Sequence, residues 1–399
     1  MDSNKKSVAY RVIFLLGLVS LFGDITYEGA RGVIGPYLSF LGASAVIVGL
    51  ITGVGEFIGY ALRLLFGYLS DRTERYWLFT FLGYGMLLAI PFLAFAGYWE
   101  VAFFLVIMER MGKALRSPAR DVILSYSTKQ VGRGFGFGIH EAMDQIGAIA
   151  GPLLFSLVIF ISGRYEVGFL MLFIPVAMTM GILTYAYRKV PAPEKLESDG
   201  MKSESEGEKI PRVFWVYSLF IFFSIAGFAN FQIISYHLKF KSVVPESQIP
   251  LLYAIAMAVD AGVALIVGRF YDRVGIMSLA LVPALIIPIP FLGFSLSYMF
   301  VVIAVILWGS VMGIQETVMR ASIADMVPIR RRGLAYGVFN TIFGLAWFVG
   351  SVVIGMFYDI EIVYVFVFSC LMEILSIIIL LFVRRELRHK KLGNLRNYQ

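Results

Sequence analysis

One cysteine, three histidines and only 15% charged residues are the scarcities of this 399-residue chain. Cys370 has no partner for an internal disulfide and reports nothing of the redox compartment. A soluble domain carries about 25% charged residues, so this chain, at 59% hydrophobic, falls outside that class. No phosphate loop, nucleophile elbow or His- or Cys-rich metal motif occurs, which argues against an enzyme, a cofactor and a resident metal. No ATP-binding domain is present, so a primary pump would need a separate subunit. The net charge of +7 is not gathered on one basic face. Its cations flank apolar segments, which excludes nucleic acid as the expected partner. The polar start, Met1 to Tyr10, leads into an apolar run without a small-residue cleavage site, so no cleaved leader is expected. The stretch after Phe382 is short and basic, so no soluble output domain is expected.

What the chain does have is apolar runs, near 10–40, 45–69, 77–97, 99–120, 133–162 and 166–187, then 213–238, 250–270, 276–295, 298–322, 333–357 and 362–383. Each approaches the ~20 residues that cross hydrocarbon as a helix. They predict an all-α membrane protein of twelve transmembrane helices. The break from Arg188 to Pro211 holds Pro191, Pro193, Glu194, Lys195, Glu197, Asp199, Glu204, Glu206 and Glu208, a solvated linker. The expected division is therefore a bundle over 1–188, a linker over 189–211 and a second bundle over 212–399. Of the 34 Lys and Arg, 26 fall at the ends and in even-numbered connections and 3 in odd-numbered ones, the other 5 lying within spans. By the positive-inside rule both termini are cytoplasmic, in a monomer spanning the cell membrane many times.

The two halves repeat. Gly67-Tyr68-Leu69-Ser70-Asp71-Arg72 returns 201 residues later as Gly268-Arg269-Phe270-Tyr271-Asp272-Arg273. Asp121 matches Asp325, Gly138 matches Gly337, and Gly151 matches Gly350. Such duplication is the layout of secondary transporters. The loop Gly67-x-Leu69-x-Asp71-Arg72-x-x-Arg75 resembles the signature of the major facilitator superfamily, with Glu74 where that pattern has Gly. Arg110-x-x-Lys113 is similar to the span-four Arg motif, and Gly147-x-x-x-Gly151-Pro152 to the span-five motif of the drug/proton antiporters in that family, with Leu153-Leu154 in place of a glycine pair. The resemblance implies twelve helices in two six-helix pseudo-repeats, alternating access, a cytoplasmic gate built on Gly67, Asp71, Arg72 and Arg75 with Gly268, Asp272 and Arg273, and a gating role for Gly147, Gly151 and Pro152. Gly134 with Gly138, and Gly147 with Gly151, also read as close helix contacts. Gly132 and its neighbours follow no strand and are no nucleotide loop.

Ionisable groups inside a span cost at least ~2.5–3.5 kcal/mol near the bilayer centre, yet the first half carries many. Asp24, Glu28 and Arg31 share one face of span one, as do Glu56 and Arg63 in span two. Glu109, Arg110, Lys113, Arg116 and Arg120 occupy span four, and His140, Glu141 and Asp144 span five. In the second half Glu316 and Arg320 stand one turn apart. Six acids face four strong bases within the first-half spans, leaving two carboxylates without a permanent cation. Burial moves a carboxyl toward neutrality, which makes those two natural proton carriers. The alternative for each charge is a structural ion pair. Tyr27, Tyr37, Tyr60, Trp308 and Trp347 either line a cavity or face lipid.

The chain therefore reads as a secondary transporter that couples protons to export of a small solute, with Asp24, Glu28 and Arg31 facing the cavity, Glu141 and Asp144 coupling protons, and protons and the lipid bilayer as its other partners. Proton-driven uptake, facilitated diffusion and, from another class, a non-transporting membrane sensor are the alternatives.

Overall fold

The computed structural model describes residues 2–128, 133–193, 210–328 and 331–396. The linker residues from Glu194 to Glu208 and Gly132 lie outside them. No strand occurs among the described residues. The order of helices is α1 (Asp2–Arg31), α2 (Ile34–Phe40), α3 (Ala45–Thr73), α4 (Tyr76–Gly85), α5 (Ala89–Phe92), α6 (Trp99–Thr128), α7 (Arg133–Ser162), α8 (Tyr165–Met171) and α9 (Phe173–Lys189). It continues with α10 (Arg212–Ala226), α11 (Phe231–Phe240), α12 (Gln248–Val274), α13 (Leu281–Ile286), α14 (Pro288–Gly293), α15 (Tyr298–Ile314), α16 (Arg320–Met326), α17 (Arg332–Ile360) and α18 (Ile362–Arg396).

Ten helical stretches among the described residues are long and apolar enough to cross a membrane, one of them the 46 residues Gln248–Gly293. Helix α6 is 30 residues long but has a charged middle, which keeps it out of that set. Hydrocarbon offers the backbone no partner, so helices satisfy it internally. The outer side chains follow the same logic: Phe104 and Phe160 are 70% and 77% exposed, as suits lipid.

Several spans that read as continuous are broken. Span one breaks after Arg31: Val33 N–H bonds the Ala30 carbonyl at 2.9 Å, one residue short of the helical register. A Cβ on Gly32 would meet the Tyr253 ring at 3.0 Å, so a larger residue there would have to push that ring aside. Span seven breaks between α10 and α11, where Asn230 caps the new helix by accepting from Ile233 N–H at 2.8 Å. Prolines 283, 288 and 290 divide span nine, since proline removes a donor and clashes with the preceding turn. A π-helical segment, Gln315–Met319, joins α15 to α16.

Contacts gather the chain into two compact units, Met1–Ala43 with Val54–Glu204 and Val244–Ala254, and Ser44–Gly53 with Ser205–Val243 and Ile255–Gln399. In the first unit α1 lies directly on α7. A Cβ on Gly147 would meet the Leu21 carbonyl at 2.5 Å, and one on Gly151 the Ile25 carbonyl at 2.5 Å and Gly29 N at 2.8 Å. Backbone meets backbone there because small residues allow it. Among the described residues nothing lies within 4 Å of a Cβ on Gly138, so no close helix contact is seen there, and Gly134 lies in a stretch whose surroundings are not described. In the second unit the Asp359 carboxylate accepts from Ala45 and Val46 N–H at 3.1 and 2.9 Å, satisfying the first turn of α3.

Candidate functional site

The helical period places Asp24, Tyr27, Glu28 and Arg31 along one side of α1. In the first unit this side meets Glu56 of α3 and the charged middle of α6. Arg31 reaches Glu28 at 3.5 Å and Glu56 at 3.1 Å. Arg110 reaches the same Glu56 oxygen at 3.3 Å and Glu109 at 3.8 Å. Arg116 closes the chain on Glu109 at 3.1 Å. Arg110 also donates to the Tyr27 hydroxyl, with its guanidinium 4.5 Å from the ring centre, and the Lys113 ammonium stands 3.9 Å over the same ring. Tyr253, from the first turns of α12 that belong to this unit, donates to Glu28 at 2.6 Å. Three carboxylates and three guanidiniums thus alternate, nearly all buried. Mutual pairing is what makes such charges tolerable in low dielectric.

A second cluster lies one to two turns away along α1. Ser20 bonds Nε2 of His140 at 3.0 Å and Tyr84 at 3.1 Å, and accepts from Arg120 at 2.8 Å. Asp144 Oδ2 lies 3.4 Å from His140 Nδ1 and 3.9 Å from Arg120, while Arg120 makes its close pair with Asp121 at 2.9 Å. Oδ1 of Asp144 is buried and unbonded. Between the two clusters stands Asp24, packed on Gly147. Lys113, Arg116 and Arg120 act on it electrostatically, but none of the described ion pairs includes it.

The structure therefore brings together Asp24, Glu28, Arg31, Glu109, Arg110, Lys113, His140 and Asp144. Glu141 stands apart: it is exposed and accepts from Gln145 at 3.5 Å. One residue beyond His140, it points about 100° around the helix. Glu316 is exposed within the π segment and Arg320 is exposed at the start of α16. Tyr27, Tyr37, Trp308 and Trp347 are all buried, so they do not face lipid. No group of three or more His, Cys, Asp or Glu among the described residues is arranged to hold a metal ion.

At the signature loop, Asp71, Arg72, Glu74 and Arg75 are exposed, and Tyr76 donates to Asp71 at 3.3 Å. A Cβ on Gly67 would meet Pro118 at 3.6 Å and one on Gly268 would meet Thr317 at 3.8 Å, ordinary contacts in both repeats. Asp272 and Arg273 are exposed too, while Tyr271 donates to Asp325 at 2.6 Å. The loop borders a cavity of about 740 Å³ lined by Tyr76, Trp77, Tyr126 and Tyr187. Glu74 adopts φ 55°, and its repeat partner Gly275 has φ 68°. The turn requires a left-handed residue in both copies, and only the second supplies glycine. Left-handed geometry costs a non-glycine residue roughly 1–2 kcal/mol, offset in part by glycine's looser unfolded chain. Glu74→Gly is therefore expected to stabilise the protein by about 0.5–1 kcal/mol, read as a rise in Tm.

Sequence reading did not single out Ser20, Tyr84 or Tyr253 for the site. Arg116 and Arg120 showed as a charged stripe, but their partners on other helices carried no signal in the chain.

A family model described as Major Facilitator Superfamily matches residues 13–319 and 277–397. An uncharacterized protein of Mycobacterium tuberculosis is 39% identical over 382 residues, 94% of this chain and 93% of its own. An uncharacterized MFS-type transporter of Methanocaldococcus jannaschii is 28% identical over 391 residues, 93% of this chain and 94% of its own. The fold is shared with the solved nucleoside transporter NupG (TM-score 0.72, 14% identity, 94% of this chain and 98% of that one) and with the peptide transporter POT in complex with sulfate (TM-score 0.76, 13% identity, 96% and 98%). With charged helices buried in an otherwise apolar protein whose described residues form no strand, and a family match running from residue 13 to 397, this multi-pass membrane protein belongs to the Major Facilitator Superfamily of transporters.

Proposed function

We propose that the chain is a proton-coupled exporter of a small organic solute in the cell membrane, with Asp24 and Asp144 as its proton carriers. The observation that carries this is the inequality among the membrane carboxylates. Glu28, Glu56 and Glu109 each have an arginine within 3.5 Å. Asp24 belongs to none of the described ion pairs, and Asp144 has the His140 imidazole at 3.4 Å and its one permanent cation among the described pairs, Arg120, at 3.9 Å, with one oxygen unbonded. A carboxylate locked to arginine has little reason to take a proton, whereas one with a loose counterion can exchange it as its surroundings change. His140 and Ser20 offer a path between Asp144 and the rest of α1.

In this reading the 46-residue stretch Gln248–Gly293 crosses twice and the charged α6 crosses once, which gives twelve crossings with both ends cytoplasmic. The monomer divides near 188 and 212 into two bundles that alternate access. Asp71, Arg72 and Arg75, with Asp272 and Arg273, act at the cytoplasmic gate. Glu28, Arg31, Glu109, Arg110 and Lys113 hold the charged face against which solute or proton binds, Glu141 serves at its margin, Glu316 acts within the second bundle, and Gly147, Gly151 and Pro152 give α7 its close seat on α1.

Internal pH in proteoliposomes, followed while cationic drugs, sugars and organic acids are added in turn, tests the reading. One solute class is expected to trigger proton movement in the wild type, and Asp144→Asn is expected to abolish it while leaving the melting profile intact. Equal proton movement in wild type and variant would remove Asp144 from the mechanism.

A further inference from the structure

Helices α3 and α12 each belong to both units, and they do so at matching places. The start of α3, Ser44–Gly53, gathers with the second unit and the rest of that helix with the first. Helix α12 does the reverse: Val244–Ala254 gathers with the first unit, and the helix continues in the second from Ile255. At the 201-residue offset of the repeated loop, Ala45 to Gly53 correspond to Glu246 to Ala254, so the exchange follows the internal repeat. With both termini cytoplasmic, as proposed, each segment opens its span from the outer side.

The two segments are held by different means. Within the second unit, the start of α3 is capped by Asp359 and seated on glycine: a Cβ on Gly355 would meet the Ala45 carbonyl at 2.5 Å. Within the first unit, two hydroxyls tie the start of α12. Ser156 of α7 donates to the Ser247 carbonyl at 2.6 Å. Tyr253, fully buried with its ring against Gly32, donates to the Glu28 carboxylate at 2.6 Å. The first tie ends on a neutral carbonyl. The second ends on a charged group, and a hydroxyl bonds an ionised oxygen roughly twice as strongly as a neutral one.

Tyr253 makes the shortest described contact of the Glu28 carboxylate. Arg31 stands 3.5 Å from Glu28 and nearer, at 3.1 Å, to Glu56. Lys113 of α6 acts on both Glu28 and Asp24, which lie one turn apart on α1. Asp24 also feels Arg116 and Arg120 of α6 and Asp144 of α7, while Arg31, Glu56 and Arg110 act on the Tyr253 hydroxyl. A proton on Asp24 removes one of the two carboxylates that share Lys113. The ammonium is left to Glu28, the charge that holds the hydroxyl falls, and the bond to Tyr253 weakens.

We propose that Tyr253 is a positioning residue that couples Asp24 to span eight. Its hydroxyl keeps the first turns of α12 on the first unit while Asp24 is charged and releases them when Asp24 is neutralised, with Lys113 and Glu28 between the two. The inference rests on the reading of Asp24 as a proton carrier.

Full-length protein with Cys370→Ser and Val244→Cys tests it. Val244 is buried in the tied segment, nine residues from Tyr253, and labelling of the new thiol by a maleimide is timed at one pH without solute. Tyr253→Phe is expected to raise the rate at least about tenfold, as loss of a hydrogen bond to a charged group should. Asp24→Asn is expected to raise it as well, and to add nothing once Tyr253→Phe is present. Ser156→Ala loosens the same turns through the neutral tie, and is expected to leave the Asp24→Asn effect intact. If Tyr253→Phe does not fold, the Asp24→Asn rate alone carries the test. Wild-type labelling in Tyr253→Phe would overturn the proposal. So would an Asp24→Asn effect that is absent, or one that persists in full without the hydroxyl. The labelling involves no flux, so a protein that labels as expected but shows no solute-triggered proton movement would keep the link from Asp24 to Tyr253 and count against the proton-coupling reading alone.

Discussion

Arg110→Met is expected to destabilise the protein by about 3–5 kcal/mol, the cost of leaving a buried ion network one positive charge short. Arg110 is 6% exposed, and Glu109 beside it 1%. It links Glu56 to Glu109, so its loss leaves three carboxylates to share Arg31 and Arg116. Surrounding lipid and helix cannot hydrate the surplus charge. The double variant Glu56→Met/Arg110→Met restores the balance, because Glu28 keeps Arg31 and Glu109 keeps Arg116. Replacing a buried pair by apolar groups of similar volume is often close to neutral, so the double variant is expected to be more stable than the single one. Thermal unfolding of the three proteins in the same detergent decides this. A double variant weaker than Arg110→Met would mean that Glu56 and Arg110 matter through their shape and not their charge.

Gly151→Leu should separate α1 from α7. The added carbon would stand 2.5 Å from the Ile25 carbonyl and 2.8 Å from Gly29 N, and both obstacles are backbone, which cannot rotate aside. Overpacking in a tight interior costs about 1–3 kcal/mol, and a backbone collision belongs at the upper end. Gly181 in α9 is the matched control: it is exposed and meets nothing within 4 Å. Gly181→Ala is expected to be neutral or to gain up to about 1 kcal/mol from helix propensity. A Gly151→Leu protein that melts with the wild type would refute the close seating of α7 on α1.

These two predictions draw on different degrees of legibility in the chain. The four-residue spacing of Gly147 and Gly151 was readable because small residues one turn apart make a groove on any helix. Helices and apolar runs were readable for a similar reason: hydropathy and helical period are local properties. The charged faces of α1 and α6 also followed from period alone. Their partners did not, since Arg31 and Glu56 are 25 residues apart and Glu28 and Tyr253 are 225 apart, and only packing decides such meetings. His140, Glu141 and Asp144 formed a cluster on paper because sequence distance hides direction around a helix. The same limit concealed the interruption after Arg31, where Tyr253, 221 residues away in sequence, lies against Gly32. The substitution at position 74 was visible, but the left-handed turn that gives it meaning needed the backbone.

The central claim is that Asp24 and Asp144 carry protons while the arginine-bound acids hold the structure. It is tested most directly by comparing solute exchange with solute accumulation in proteoliposomes containing the Asp24→Asn/Asp144→Asn double variant. Exchange of labelled for unlabelled solute at equal pH on both sides requires only binding and alternating access, whereas accumulation against a gradient requires coupling to protons. The account predicts exchange close to the wild-type rate, with loss of both accumulation and solute-triggered proton movement. Accumulation driven by a pH gradient at the wild-type level in that variant would contradict it.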